Sequence, residues 1–314
     1  MENGHGGLFA MSPFDSDAFV TSELEAMKDE PTDKPLLAIA GASVTYSSFG
    51  TEEEIQRDFR KATGIDVDVA LLSSGRIPIS SANMILDRLP KNRPVIAVLG
   101  IGPSRFTMDR TEVESPYRTT RFGITSPADQ AIRKDLGVNT RTPTGFVAID
   151  QGGFYIARLG AFVRNLALTV VRGHGMVRND ERYIGLTASD KFLELRAQAV
   201  VSRFENAEAN WNLNARLLER AIRLAQSRKN ITLVMVEHPI NPDFVANQLG
   251  QDRYAAHLAK MDALARRNNV TYWKLGYDLK LDRTNFYDWA HISSEEGQGR
   301  LRRLLVQRIG KLER

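Results

Sequence analysis

The sequence predicts an α/β fold, a three-layer α/β/α sandwich with a mainly parallel sheet. Short apolar runs without alternation are typical of strands buried on both faces, and they recur at residues 36–40, 67–72, 94–99, 231–236 and 270–275. Stretches with helical spacing of apolar residues separate these runs, most clearly at residues 189–228 and 254–268. Strands that alternate with helices indicate parallel pairing, because a crossover helix returns the chain to the same end of the sheet.

The domain organisation expected from the sequence is a lead-in linker over residues 1–33 and one α/β domain over residues 34–314. The lead-in has a glycine-rich start and a short helical stretch that Pro31 ends. Residues from about 103 to 190 are expected to be an insertion, because this segment is long for a single crossover. Helices are expected within it near residues 128–135 and 154–171.

Two capping sequences predict where helices begin. Thr51 and Glu54 form a capping box, so a helix is expected to start there after the first strand. The Ser-Ser-Glu-Glu sequence at residues 293–296 precedes a last amphipathic helix. The long helical pattern at 189–228 is expected to break near residues 206–214.

The composition excludes several classes of protein and site. The chain has 314 residues and 42% hydrophobic content, enough for one sizeable core or two small ones. The absence of cysteine excludes disulfides, thiolate metal sites and a cysteine nucleophile. No window approaches a membrane-spanning run, and the first residues lack the apolar core of a signal peptide. No metal or organic cofactor is expected.

The charge pattern argues against a nucleic-acid surface. The formal net charge is +4, and the basic residues are spread along the chain. Nucleic-acid binding needs a basic stripe with interleaved aromatic residues, which the sequence lacks. The modest positive charge still permits attraction to anionic glycans, lipids or carrier proteins.

Ser43 is a candidate nucleophile because of its position after the first strand. The small residues Gly41 and Ala42 precede it and indicate a tight turn. Ligands bind at the carboxyl ends of the strands in open α/β sheets, so Ser43 is expected at the mouth of a crevice. A serine in a turn is common, and this feature alone leaves a purely structural role open.

Asp288 and His291 are the candidate partners of that serine. They lie three residues apart, close enough for the carboxylate to hold one imidazole nitrogen while the other faces outward. A serine nucleophile needs such a base, and the base needs an orienting group. A surface aspartate and a helix-capping histidine are the alternative. His238 is a rival base because it also follows a predicted strand, but Glu237 beside it points elsewhere along that strand.

The combination of the two motifs resembles the SGNH, or GDSL-like, hydrolase superfamily. Its members carry the nucleophilic serine in a first block and the other two triad members in a last block. The resemblance implies Ser43 as nucleophile, His291 as general base and acid, and Asp288 as its orienting group. It covers roughly residues 36–308 in layout and leaves residues 102–190 unmatched.

The resemblance also implies an oxyanion hole formed by backbone N–H groups of Ser43, Gly75 and Gly102. Gly75 is equally consistent with a turn that needs a positive φ. Members of the superfamily usually have Gly-x-Asn in the third block, and this chain has Gly-Ile-Gly at residues 100–102. The missing asparagine has three possible meanings: Ser104 or Arg105 supplies the donor, backbone N–H groups suffice, or catalysis is weak or lost.

The strand ending in His-Pro-Ile-Asn-Pro at residues 238–242 narrows the resemblance to the DltD-like and AlgX-like extracytoplasmic acyltransfer proteins. This implies an O-acyltransferase or esterase that acts on a cell-envelope polysaccharide or glycolipid, with an acyl donor, a glycan acceptor and a possible membrane acyltransferase partner. It further implies a periplasmic location, as the soluble domain of a membrane-anchored protein, with the cytoplasm as the alternative. Arg76, Arg105 and His238 are the candidate substrate-binding residues.

A binding module without catalysis is the alternative function. It would keep the same fold and bind a glycan or a lipid carrier. The missing asparagine of the third block motivates it, and the presence of Ser43, Asp288 and His291 speaks against it.

Overall fold

The computed structural model describes residues 16–27, 32–75, 77–118, 127–138, 156, 159–160, 163, 183–186, 189–205 and 207–312. Its centre is a sheet of five strands in the order β2-β1-β3-β4-β5, and every neighbouring pair is parallel. The strands are β1 (Leu36–Gly41), β2 (Asp68–Ser73), β3 (Val95–Ile101), β4 (Ile231–Glu237) and β5 (Thr271–Trp273). The expected α/β class with a parallel sheet is confirmed.

Helices separate the strands along the chain. They are α1 (Ser16–Ala26), α2 (Ser43–Ser48), α3 (Glu52–Thr63), α4 (Ser80–Arg88), α5 (Arg110–Arg118), α6 (Pro127–Leu136), α7 (Asp190–Glu205), α8 (Ala207–Gln226), α9 (Pro242–Phe244), α10 (Gln251–Arg267), α11 (Leu275–Leu279) and α12 (Glu295–Leu312). A 3₁₀ turn spans Pro103–Phe106, and a π-helical turn at Val245–Leu249 continues α9.

Each face of the sheet has its own apolar core. Along β1, Leu36 and Ala38 belong to the core that α1, α4, α5, α6, α8 and α10 cover. Leu37 and Ile39 belong to the opposite core, which α3, α11 and α12 cover. Successive side chains of a strand point to opposite faces, so β1 is buried on both sides as its unbroken apolar run predicts. The arrangement is compatible with three layers.

The lead-in contains a helix that packs on the core. Val20 and Leu24 of α1 are fully buried against the first core, and α1 lies against β2. The sequence predicted only a linker there, with a short helix that Pro31 ends. Residues 16–27 are instead part of the packed structure, because their apolar side chains cover sheet surface that would otherwise face water.

A helix that the sequence did not predict begins at Ser43 itself. The chain leaves β1 through Ala42, whose backbone is extended, and turns at once into α2. Gly50 has a φ of 78°, which lets the chain leave α2 and enter α3. The capping box at Thr51 and Glu54 is confirmed as the start of α3. Ser294 caps α12 by accepting a hydrogen bond from the Gly297 N–H at 2.9 Å.

The insertion is described only in part. Its first half contains the 3₁₀ turn, α5 and α6, and α6 agrees with the helix expected near residues 128–135. The helix expected over residues 154–171 falls largely outside the described residues. Arg76, a candidate binding residue, also lies outside them. The long helical pattern forms α7 and α8, and residue 206, where the expected break begins, lies outside the described residues.

The strand order places a crevice directly after β1. The chain runs from β1 outward to β2 and then crosses back to β3 on the other side of β1. Such a reversal opens a gap between the connections that leave the two central strands, and ligands bind there in open α/β sheets. Ser43 follows β1 and Gly102 follows β3, so the two lie at the edges of this gap.

Gly276 provides a test of the packing at the carboxyl edge of the sheet. A Cβ atom on Gly276 in α11 would lie 2.4 Å from the Cα atom of Pro239, in the turn after β4. Because the three nearest atoms all belong to the backbone of Pro239 and His238, they cannot move aside easily. We therefore expect Gly276→Ala to lower the free energy of unfolding by about 1–3 kcal/mol in urea denaturation. Gly102→Ala is the matched control, since no atom lies within 4 Å of its added Cβ. An unchanged midpoint for Gly276→Ala would contradict this packing.

Candidate active site

A chain of hydrogen bonds joins Ser43, His291 and Asp288. The Oγ atom of Ser43 lies 2.9 Å from Nε2 of His291. Nδ1 of His291 lies 2.9 Å and 2.8 Å from the two carboxylate oxygens of Asp288. The structure therefore brings together three side chains that are 248 residues apart at their widest separation. With the proton on Nδ1, Nε2 is left to accept the hydroxyl proton of Ser43.

The loop before α12 holds the Asp288 carboxylate in place. Oδ1 of Asp288 accepts hydrogen bonds from the backbone N–H groups of Ala290 and His291 at 3.0 Å and 2.9 Å. The side chain of Asn241, after β4, donates to the Asp288 carbonyl at 3.2 Å, and its backbone N–H donates to the Trp289 carbonyl at 2.9 Å. These bonds tie the loop to the end of β4.

The Asp288 carboxylate remains charged in this environment. Burial alone favours the neutral acid, and Asp288 is 1% exposed. The hydrogen bonds from His291 and from the two backbone N–H groups outweigh burial, so the pKa of Asp288 lies below its usual value. A charged carboxylate orients the imidazole and stabilises the imidazolium that forms when His291 takes a proton.

Tyr183, from the end of the insertion, covers the imidazole of His291. The two rings are stacked, with centroids 4.5 Å apart and planes at 18°. The N–H of Gly185 donates to the Ser293 carbonyl at 2.9 Å, which fixes this short segment beside the loop. The Tyr183 ring therefore covers one face of the imidazole, a contact that no pattern in the sequence predicted.

His238 takes a different place from His291. Its Nε2 lies 2.8 Å from Oγ1 of Thr45, two residues after the candidate nucleophile. Burial, reinforced by the nearby positive charge of Arg105, lowers the pKa of His238 to about 3. Glu237 does not orient this ring, because its carboxylate accepts a hydrogen bond from the Tyr272 hydroxyl at 2.9 Å. His238 is a neutral, buried side chain at neutral pH.

Two glycines make room for the pair formed by Thr45 and His238. A Cβ atom on Gly100 would lie 2.1 Å from Oγ1 of Thr45 and 2.3 Å from Nε2 of His238. A Cβ atom on Gly41 would lie 1.9 Å from the same hydroxyl. Glycine at position 41, which ends β1, and at position 100 in β3 therefore leaves room for the Thr45 side chain from α2 and the His238 side chain from the turn after β4.

A small cavity lies between this pair and the loop that carries Asp288. It has a volume of about 20 Å³, room for about one water molecule, and Gly102, Ser104, Arg105, His238 and Trp289 contribute to its walls. Arg105 is 2% exposed. Two of the three candidate substrate-binding residues, Arg105 and His238, therefore border one cavity beside α2.

The three candidate oxyanion donors follow three adjacent strands. Ser43 is the first residue of α2, where backbone N–H groups have no partner within the helix. Gly75 lies two residues past β2, and Gly102 lies one residue past β3. A Cβ atom on either glycine would meet no atom within 4 Å, so the space in front of both is open. All three lie at the carboxyl edge of β2, β1 and β3.

In the described residues, no group of three or more histidine, aspartate or glutamate side chains is placed to hold a metal ion. None of the helices described is long and apolar enough to cross a membrane.

A scan against protein-family models finds none that fits this chain, and a search of curated proteins finds no significant similarity. The interpretation of the site therefore depends on the fold and on the geometry of these side chains.

His238 makes stability depend on pH. Its folded pKa of about 3 lies below the ordinary value of 6.5, so the unfolded chain binds a proton first as the pH falls. We expect the free energy of unfolding to fall by about 1–2 kcal/mol between pH 6.5 and pH 5 on account of this group, and to recover as the pH rises.

The comparison that isolates this effect is wild type against His238→Gln, whose amide does not titrate. Urea denaturation at pH 5, 6 and 7 is expected to show a smaller pH dependence in the variant. An identical pH dependence in the two proteins would contradict the assignment of a neutral, buried imidazole.

Proposed function

We propose that the protein is a serine-dependent acyl-transfer enzyme, an O-acyltransferase or an esterase. The observation that carries the proposal is the continuous chain of hydrogen bonds from the Ser43 hydroxyl through His291 to the Asp288 carboxylate. A hydroxyl, a base and a group that orients the base are the parts that nucleophilic catalysis by serine needs. Their position at the switch point of a parallel sheet supports the same interpretation.

The proposed reaction begins with attack by Ser43 on an ester carbonyl. Nε2 of His291 takes the hydroxyl proton as Oγ forms a bond to the carbonyl carbon, and the imidazolium is stabilised by Asp288. His291 then gives the proton to the departing alcohol, and the C–O bond of the donor ester breaks. Water in an esterase, or a glycan hydroxyl in a transferase, attacks the acyl-enzyme and returns the proton to Ser43 through the same base.

The oxyanion is assigned to backbone N–H groups of Ser43, Gly75 and Gly102. They follow three adjacent strands, and the space in front of both glycines is open. A preorganised donor of this kind is worth about 3 kcal/mol in acyl transfer. Ser104 and Arg105 follow Gly102 and border the small cavity beside α2, and they are the candidates to supply the donor in place of the missing asparagine.

The resemblance to SGNH-like hydrolases supports a wider proposal. The parallel α/β sheet and the positions of Ser43, Asp288 and His291 agree with that superfamily. Its DltD-like and AlgX-like members favour a cell-envelope polysaccharide or glycolipid as acceptor, a periplasmic location and a membrane acyltransferase as partner. No cofactor is part of the proposed reaction.

A glycan-binding or carrier-binding module without catalysis is the second candidate. The glycine at position 102, where the superfamily has asparagine, is the observation that favours it. This candidate does not need an ionised Asp288 or a hydrogen bond from Ser43 to His291. Reactivity of Ser43 separates the two functions.

Labelling by a fluorophosphonate tests the nucleophile. We expect stoichiometric labelling of the wild type and none of Ser43→Ala, because only a serine paired with a base reacts readily with this reagent. Ser47→Ala is the matched control. It lies one turn further along α2, where its hydroxyl donates to the Val44 carbonyl, and it should be labelled as the wild type is. Equal labelling of Ser43→Ala and wild type would contradict the proposal.

Replacing the orienting carboxylate tests the role of Asp288. Asp288→Asn keeps the shape of the side chain but changes the hydrogen bond that sets the imidazole tautomer. We expect kcat for p-nitrophenyl acetate hydrolysis to fall by about 10⁴-fold, by analogy with the serine protease triad. A decrease of less than about tenfold, with the folded structure intact by circular dichroism, would show that Asp288 does not act through His291.

A further inference from the structure

A polar groove lies beside the loop that carries Asp288 and His291. It has a volume of about 330 Å³, at the lower end of the range for small-molecule sites. The start of α7, α9 and the π-helical turn after it form its sides, together with Arg283 and Trp289. Trp289 also borders the small cavity beside α2, so one side chain lines both the groove and that cavity.

The side chains in this groove suit a hydroxyl-rich ring. Asn247 and Gln248 are exposed and present amide groups, which both donate and accept hydrogen bonds. Trp289 is half-buried beside Phe244, with ring centroids 5.7 Å apart, and offers a flat apolar surface. A sugar ring has an apolar face of C–H groups and a rim of hydroxyls, and it matches an aromatic surface with polar groups around it.

The groove is fixed with respect to the triad. Oδ1 of Asn241 accepts a hydrogen bond from the Asp243 N–H at 3.0 Å, while its Nδ2 donates to the Asp288 carbonyl. Under the groove, Ala197 and Phe204 of α7 pack in an apolar cluster with Phe244 and its neighbours. A ligand in the groove would therefore be held at a defined position relative to Ser43.

The charge of the groove is opposite to that of the whole chain. Three carboxylates line it, from Asp190, Glu194 and Asp243, and Arg283 is the one cation among the described lining residues. Arg283 is bonded to Asp190, and its Nε lies 3.7 Å from a carboxylate oxygen of Asp243. The formal charge of these residues is −2, whereas the chain carries +4.

We propose that this groove is the acceptor subsite and that it takes a neutral or amine-bearing saccharide in preference to an anionic one. The inference rests on the proposed acyl transfer, in which a ring hydroxyl attacks the acyl carbon of acyl-Ser43. His291 takes the proton of that hydroxyl, the new C–O bond forms, and the bond to Ser43 breaks with return of the proton to its oxygen. Local negative charge disfavours uronate or phosphate groups in the groove, despite the basic character of the whole chain.

Direct binding tests the inference without any need for catalysis. The Ser43→Ala chain is titrated by calorimetry at low ionic strength with three trisaccharides. They are chitotriose, which is neutral, its fully deacetylated form, which is cationic, and trigalacturonate, which is anionic. We expect the neutral and cationic sugars to bind, and the anionic sugar to bind at least about fivefold more weakly, since exposed charges interact more strongly at low salt.

Substitutions in the groove locate the binding. Glu194→Gln is expected to reduce the discrimination against trigalacturonate by roughly two- to fivefold, because it removes one carboxylate. Glu205→Gln, at the exposed far end of the same helix, is the matched control and should leave the discrimination unchanged. Trp289→Ala is expected to weaken binding of chitotriose by about tenfold or more, as loss of an aromatic anchor does.

The outcomes separate this proposal from the proposed function. The proposal that the groove is the acceptor subsite is overturned if none of the three sugars binds or if all three bind equally. It is also overturned if Glu194→Gln and Glu205→Gln have equal effects. Hydrolysis of p-nitrophenyl acetate by the wild type is measured in parallel. Ester hydrolysis without sugar binding overturns only the groove, whereas sugar binding in the expected order without ester hydrolysis or fluorophosphonate labelling overturns the acyl-transfer proposal.

Discussion

The parallel pairing of β1 with β2 on one side and β3 on the other is the constraint on which the site depends. It puts the switch in strand order directly after β1, so the first residues of α2 border an open gap. Gly41 at the end of β1 and Gly100 near the end of β3 have no side chains, which allows Thr45 and His238 to meet beside them. Ser43, on the first turn of α2, is thereby presented to the loop before α12.

The two histidines of the site have different charged neighbours. His291 is paired with a buried carboxylate whose pKa is held low, so its protonated form has a charged partner. His238 is equally buried but has no carboxylate partner in the described structure, and it lies near Arg105, so its neutral form is favoured. Of these two histidines, His291 has a charged partner and contacts Ser43, while His238 contacts the Thr45 hydroxyl.

Local patterns in the sequence predicted much of this structure. The strands were visible because a strand buried on both faces is continuously apolar, and α3 was visible because its capping box is a short-range signal. The proximity of Ser43 to the pair Asp288 and His291 followed from the rule that strand ends share one edge of a parallel sheet. The packing of α1 was missed, because its apolar positions are few and the prediction treated the segment before Pro31 as a linker.

Contacts between distant segments could not be predicted from a single sequence. Tyr183 reaches His291 from an insertion that has no regular pattern, and α2 is too short to display helical spacing. The polar groove is lined by residues of α7, α9 and the loop before α12, which are far apart in the sequence. Its negative charge could therefore not be predicted from the net positive charge of the whole chain. One feature of the sequence was compatible with the contact between Thr45 and His238. Thr45 lies two residues after the candidate nucleophile, and Gly41 and Gly100 leave room for a side chain beside their strands.

The central claim is that Ser43 carries the acyl group during turnover. The most direct measurement is rapid acid quenching of the wild type with p-nitrophenyl acetate, followed by mass spectrometry of its peptides. We expect one acetyl group per chain, located on Ser43, and a burst of p-nitrophenolate equal in amount to the acetylated chain. An acetyl group on another residue, or release of p-nitrophenolate with no acetylated peptide at any quench time, would contradict it.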